Sequence, residues 1–338
     1  MTSGAGPGLR RALTRQPSAY LVASLRGVGQ VDLQAQPLTG ALILAALWAA
    51  GWQVGLFATL GTLIATATAY ALDVDRGSIG QGLQGYSGCL TGIALVGSLG
   101  HHPATYVLTV VGCAVTTVLT ATLATLLAPY RLTPLTAPFC LVSGVMVLGA
   151  PSFARIWHGA PAPVANPTSG DTGITFSDLW HAFFTNVSQV FLVNSWYVGL
   201  IMLAGLACAG LRVLLAAALG SVAGIVAAWA LGAPTAQISS GIYGYNAVLV
   251  GIALGAVFLA ATPWNAGYAL FGAALSTGLT AAITSLFTPF DGHTFTWPFI
   301  LTTWALLAAV PQLPRLRAAT ARGPSPHPRP RPEEGTHR

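Results

Sequence analysis

GLQGYSGCLTGIAL at residues 82–95 and GIYGYNAVLVGIAL at residues 241–254 decide how this chain folds. Eight of the fourteen positions are identical: Gly82, Gly85, Tyr86, Leu90, Gly92, Ile93, Ala94 and Leu95 all recur 159 residues later. Working outward, the same offset carries Gln30 and Val31 onto Gln189 and Val190, Leu33 onto Leu192, Gly40 onto Gly199 and Leu44 onto Leu203. Near the end of each copy the offset is 160, and Thr136-Ala137-Pro138-Phe139 meets Thr296-Trp297-Pro298-Phe299. Apolar helices resemble one another by composition, but a steady offset with shared Gln, Gly-x-x-Gly-Tyr and Thr-x-Pro-Phe marks one unit written twice.

The unit is built for lipid. Charged residues are 7% of the chain and hydrophobic residues 54%, against about 25% charged in a soluble domain. No formal charge lies between Arg76 and Arg131, and Arg212 alone lies between Asp178 and Asp291. A charge at the bilayer centre costs about 2.5–3.5 kcal/mol on insertion scales, so such stretches read as membrane spans. The net charge of +6 comes mostly from the two ends, Arg10, Arg11, Arg15 and Arg26 at the start and Arg315, Arg317, Arg322, Arg329, Arg331 and Arg338 at the finish. Basic flanks stay cytoplasmic, so this charge implies two cytoplasmic ends and an even number of crossings, and not a nucleic-acid partner. Cys89, Cys113, Cys140 and Cys208 sit in apolar runs with no C-x-x-C pair, and read as small core residues rather than disulfides or metal ligands.

Apolar runs cover 37–50, 53–72, 80–99, 103–128 and 136–150, then 196–211, 213–231, 239–260, 266–287 and 297–312. The expected fold is an all-α polytopic membrane protein of about ten transmembrane helices. Five spans per copy set the second copy upside down, giving two inverted five-span repeats with a pore between the halves near the membrane midplane. The runs 37–50 and 196–211 are short for a core of about 30 Å, which points to re-entrant half-helices. The chain divides into a basic cytoplasmic tail (1–17), a first repeat of half-helix plus five spans (18–150), a Pro/Gly/Ala/Thr-rich linker (151–176), a second, inverted repeat (177–312) and a disordered basic cytoplasmic tail (313–338).

Each copy opens with a less apolar segment that ends at a glutamine, Gln30 or Gln189, followed by a Pro or polar break. A helix that stops within a membrane leaves carbonyls unpaired, which is tolerated where protein or a water-filled cavity receives them. Either glutamine alone would read as a bond to a neighbouring helix; the pair at one repeat position points to the pore. Thr136 and Thr296 each precede a Pro by two residues, as an N-cap does, and their duplication makes their hydroxyls pore candidates as well. Tyr86 and Tyr245 stand four residues before Leu90 and Leu249, hence on one helix face with them; they serve either as flat walls of a slot or as helix packing. No midspan Asp, Glu, Lys or Arg recurs between the copies, and no Ser/His/Asp set, phosphate loop, cofactor motif or metal-ligand spacing occurs. The chain reads as a transporter and not an enzyme.

These duplicated segments, over residues 20–311, resemble the urea transporter family. The resemblance implies a homotrimer in the cell (inner) membrane with one pore per subunit and urea as the passive cargo. In that reading Gln30 and Gln189 begin two oxygen ladders continued by backbone carbonyls to Leu33 and Leu192. Thr136 and Thr296 stand at the midpoint, and Val31, Val190, Leu90, Leu249, Tyr86 and Tyr245 line the walls. The chemistry agrees: urea is flat and neutral, with four N–H donors and one acceptor, so its pore should offer acceptors between apolar plates and needs no charge. Protein hydrogen bonds spare it the several kcal/mol of amide desolvation, and each net bond of about 1 kcal/mol leaves it free to move on.

The chain departs from the family pattern in three places. Asp32 stands two residues after the first glutamine where its repeat partner is Phe191, able to pair with Arg26 or face the vestibule as a selectivity modifier. Leu33 and Leu192 occupy positions where some members carry an aromatic residue, and Ser87 stands opposite Asn246. The rival readings are a channel for another small neutral solute, such as short amides or ammonia, and an ion-coupled secondary transporter that uses Asp32.

Overall fold

The structure is a computed structural model that describes residues 17–158 and 170–319. Among them the chain is helical, its single β-bridge joining Leu259 and Ala318. The first half runs α1 (Pro17–Gly29), α2 (Pro37–Ala50), α3 (Trp52–Ala71), α4 (Arg76–Gly80), α5 (Tyr86–Leu99), α6 (Pro103–Leu127) and α7 (Ala137–Gly149). The second runs α8 (Phe176–Ser188), α9 (Trp196–Ala209), α10 (Leu211–Ala230), α11 (Thr235–Ser239), α12 (Tyr245–Ile252), α13 (Pro263–Phe287) and α14 (Trp297–Ala309). Each of α8 to α12 starts 159 residues after its counterpart, and α13 and α14 start 160 after theirs. The extra residue falls at a π-helical turn, Ala253–Val257, that continues α12; one inserted residue is what such a turn absorbs.

Two apolar runs open on a break. The segments expected at 80–99 and 239–260 each begin at the last residue of a short helix, pass through a turn and become helical again only at Tyr86 and Tyr245. The breaks centre on Gly82 (φ 81°) and Gly241 (φ 79°), in the left-handed region that favours glycine. A β-carbon on Gly82 would also press on the backbone of Arg26 and Gly27, so the break lets the α4–α5 turn seat against α1.

Among the described residues four helices, α3, α6, α10 and α13, are long and apolar enough to cross a membrane. The pairs α1–α2 and α8–α9 pass the same test but bend by 77° and 76° at their breaks. The outward faces are apolar: Val107, Val110, Val111 and Val118 on α6 and Phe271 and Leu275 on α13 are exposed, a surface suited to lipid. Inside, many threonine hydroxyls are satisfied within their own helix, as a membrane interior favours. The hydroxyls of Thr62, Thr109, Thr120 and Thr280 donate to carbonyls four residues back. Glycines let α3 and α5 touch: a β-carbon on Gly61 or Gly88 would strike the other's carbonyl oxygen. One core runs through both halves and includes Val31, Phe139, Val190 and Phe299. The Thr39 hydroxyl crosses from α2 to donate to Gly205 O of α9 at 2.9 Å.

Two expectations change here. Cys208, read as a core residue, is exposed, whereas Cys89, Cys113 and Cys140 are buried. Residues 313–319, read as the start of a disordered tail, instead pair with the α12–α13 connection. In the linker, Thr175 caps α8 in a capping box with Asp178, and the backbone of Thr235 donates to Asp171 O at 2.9 Å. Residues 1–16 and 320–338 of the tails and 159–169 of the linker lie outside the described residues.

Candidate solute pore

Two cavities open where the two bent helix pairs break. The smaller, about 330 Å³, is lined by Gln30, Leu33, Tyr86 and Thr136. The larger, about 550 Å³, is lined by Gln189, Leu192, Tyr245 and Phe295. Gln30, Leu33, Tyr86 and Leu135 of the smaller cavity have their repeat mates Gln189, Leu192, Tyr245 and Phe295 in the larger; Thr136 has no such match, because Thr296 lines neither cavity. Each cavity also borrows from the other half: Val257 and Phe258 line the smaller one, and Gln53 and Ser98 line the larger.

The breaks are made locally. After Gly29 the chain takes one tight turn, Gln30–Asp32, and Leu33 stops it in the left-handed region at φ 62°. After Ser188 the turn Gln189–Phe191 ends the same way at Leu192, φ 60°. Leu33 N–H donates to Gln30 O and Gln34 N–H to Gly29 O, both at 3.0 Å, which closes the helix end as a C-cap. A branched residue held there stores about 1–2 kcal/mol, and both copies carry it.

The glutamines are set as acceptors. Gln30 Nε2 donates to Gln81 O at 2.9 Å. That carbonyl can only accept, so the amide nitrogen faces it and the amide oxygen is left for another donor. Gln189 Oε1 is a buried acceptor without a partner, a state that normally draws a ligand or water donor. Both oxygens belong to residues lining a cavity.

The threonines meet beside the smaller cavity: Thr136 lines it, and Thr296 follows Phe295, which lines the larger one. Thr136 and Thr296 occupy N-cap positions, yet neither side chain caps its helix. Their hydroxyls bond each other at 2.6 Å across 160 residues of sequence. Cys140 Sγ lies 3.1 Å from Thr296 Oγ1, a neighbour that sequence reasoning passed over as a core thiol; its position four residues after Thr136, hence on the same helix face, was the available signal. The tyrosines act by their hydroxyls as well as their rings. Tyr86 OH donates to Leu135 O at 2.6 Å and Tyr245 OH donates to Phe295 O. Leu135 (φ 49°) and Phe295 (φ 42°) are themselves left-handed, so each tyrosine pins the strained residue that aims the next threonine.

Val31, Val190, Leu90, Leu249 and Thr296 line neither cavity: the first four are buried in the shared core, and Thr296 is buried against Thr136. Thr280 and Thr284 of α13, with Gln237 and His293, line the larger cavity and were missed. The i, i+4 spacing of the threonines was their signal, while His101 and His293 occupy positions the repeat does not relate.

Asp32 is neither paired nor facing a cavity. Its side chain is fully buried and both carboxylate oxygens lack partners, while Arg26 Nη1 donates instead to Gly80 O at 2.7 Å. The tight turn directs it into the packing that its mate Phe191 fills in the other copy. A buried unpartnered acid destabilises by a few kcal/mol. Asp32→Asn is therefore expected to raise the melting temperature and leave flux within about twofold of wild type. Scanning fluorimetry and liposome efflux measure the two; a collapse of flux would return Asp32 to the transport path.

Comparison with known proteins agrees with this architecture. The family profile described as Urea transporter matches residues 21–311. Urea transporter 1 of Rattus norvegicus is 30% identical over 301 residues, which cover 86% of this chain and 77% of that protein. Urea transporter 1 of Ovis aries is 29% identical over the same shares. With the profile spanning both copies of the unit, from the first broken helix to the end of α14, the chain belongs to the urea transporter family.

Proposed function

We infer that this chain is a passive, channel-like conductor of urea in the cell membrane. The carrying observation is the pair of buried glutamine acceptors, one at each cavity, joined through the Thr136–Thr296 contact. Urea brings donors and meets acceptors: Gln30 and Gln189 oxygens first, then the carbonyls of Gln30 to Leu33 and of Gln189 to Leu192, then the threonine hydroxyls at the narrow midpoint. Leu33, Leu192 and the tyrosine rings press on its faces, with Val31, Val190, Leu90 and Leu249 as the packing behind them. No acid, lysine or arginine lines either cavity, which favours a neutral solute over an ion-coupled cycle through Asp32.

In this reading the two halves are inverted repeats of five spans, which explains why each mouth takes residues from both halves. Three subunits form a homotrimer with a pore in each. The basic ends stay cytoplasmic. Arg26 and the 315–319 segment both lie on the side of the smaller cavity, which makes that cavity the cytoplasmic mouth.

Stopped-flow light scattering on liposomes tests the reading. Purified protein is expected to speed urea efflux with no proton or sodium gradient, and Gln189→Leu to slow it about fivefold, as the loss of one hydrogen bond to the solute would. Efflux no faster than from empty liposomes would refute the urea assignment, and strict dependence on a cation gradient would favour the coupled transporter.

A further inference from the structure

The smaller mouth carries an assembly that the larger one lacks, and it is centred on Phe258. Gly97 and Ser98 line the larger cavity and Val257 and Phe258 the smaller. Those pairs are 160 apart, so the residue inserted in the second copy lies before Val257, within the π-turn. Phe258 thereby takes the place of Ser98, an aromatic ring where the other mouth has a small hydroxyl.

Two hydrogen bonds hold the Phe258 backbone itself, and others hold its neighbours. Phe258 N–H donates to Ala253 O at 2.8 Å, the bond that closes the π-turn. Arg212, the one charge between Asp178 and Asp291, donates from Nε to Gly255 O at 2.9 Å and from Nη2 to Leu259 O at 2.6 Å. It thus gathers carbonyls on either side of Phe258; its repeat mate is Gln53. From the other side comes the segment after α14. Ala319 N–H donates to Phe258 O and Ala260 N–H to Arg317 O, each at 2.9 Å. Asn265, buried, grips the Arg317 backbone at both ends, Nδ2 to its O at 2.8 Å and Oδ1 from its N–H at 3.2 Å. Arg315 stacks on Trp264 at 4.6 Å. Among the described residues of the first copy, Ile156 and Trp157 pack on the cluster that holds Leu95 and Leu99, and His158 stacks on His102.

We propose that Phe258 is a size-selecting wall of the smaller mouth, and that Arg212 and the 315–319 segment are positioning residues that hold it there. This rests on the channel reading above. A flat unsubstituted amide slides past the ring to Gln30 and Leu33, whereas N-alkyl groups collide with it. The selection acts at one mouth, because the other has Ser98 in its place.

The test is the ratio of N,N′-dimethylurea to urea permeability in liposomes. Phe258→Ala is expected to raise it about tenfold, the discrimination that a few methylenes of pocket wall supply. Arg212→Gln and Ala319→Pro, the latter removing the N–H that holds Phe258 O, are expected to raise it about threefold, a change that a general loss of stability would not produce. An unchanged ratio in Phe258→Ala overturns the selecting role. A raised ratio there with none in Arg212→Gln or Ala319→Pro overturns the positioning role. Wild-type protein that conducts no urea refutes the channel reading separately. Labelling of Phe258→Cys by a charged methanethiosulfonate then still reads the positioning: it should quicken in the Ala319→Pro background, and an equal rate overturns it.

Discussion

Liposomes carrying the Thr136→Val, Thr296→Val double variant are expected to release urea about tenfold more slowly than wild type, a barrier increase of about 1.4 kcal/mol. The estimate sets two effects against each other. The hydroxyls lie 2.6 Å apart, too close for a solute, so in the wild type their mutual bond must open at each passage. Valine removes that requirement and so lowers the barrier by about 1 kcal/mol. It also replaces both midpoint hydroxyls by methyl groups of similar volume. The amide then passes the neck without two hydrogen bonds, a combined loss of about 2–3 kcal/mol. The losses exceed the gain. The valines are nearly isosteric and the backbone bonds Cys140 N–H to Thr136 O and Ile300 N–H to Thr296 O remain, so the protein should stay folded. Stopped-flow rates at matched protein density decide it; unchanged flux would remove the threonines from the path.

Gly40→Ala, or Gly199→Ala at the equivalent point, is expected to abolish recovery of folded protein. A β-carbon on Gly40 would overlap Leu25 O, and one on Gly199 would overlap Phe184 O. Both partners are backbone atoms within helices, so relief requires the two arms of a bent pair to part. The shift would carry Gln30 or Gln189 with it. A loss of more than about 4 kcal/mol is expected, well above the usual point mutation. The same change at Gly278 on α13, where nothing lies within 4 Å, should be neutral or stabilise by about 0.5–1 kcal/mol. Size-exclusion profiles in detergent compare the three. A monodisperse Gly40→Ala peak at wild-type yield would show that the arms yield more easily than their contact implies.

Much of the architecture was legible because duplication is local information. Fourteen residues around Tyr86 and Tyr245 gave the unit, and the offset change from 159 to 160 already contained the π-turn, though not its place. The broken runs at 80–99 and 239–260 were hidden because a turn centred on glycine in an apolar stretch leaves no polar signature. Cys208 was misjudged because an apolar residue facing lipid looks the same in sequence as one facing the core.

The sequence by itself determined that the protein lives in lipid, that it is one helical unit written twice, and that a glutamine and a threonine recur where a neutral solute would need acceptors. Those facts follow from composition and spacing along one strand of chain. Only the tertiary structure decided which faces meet. It set Thr136 against Thr296, turned the tyrosine hydroxyls onto Leu135 and Phe295, and buried Val31 and Leu90 behind the cavities. It also gathered Arg212, the π-turn and residues 315–319 around Phe258. The physical reason is that a helix apolar all round carries no periodic mark of its inward face. Orientation is then set by glycine contacts and hydrogen bonds between residues far apart in the chain.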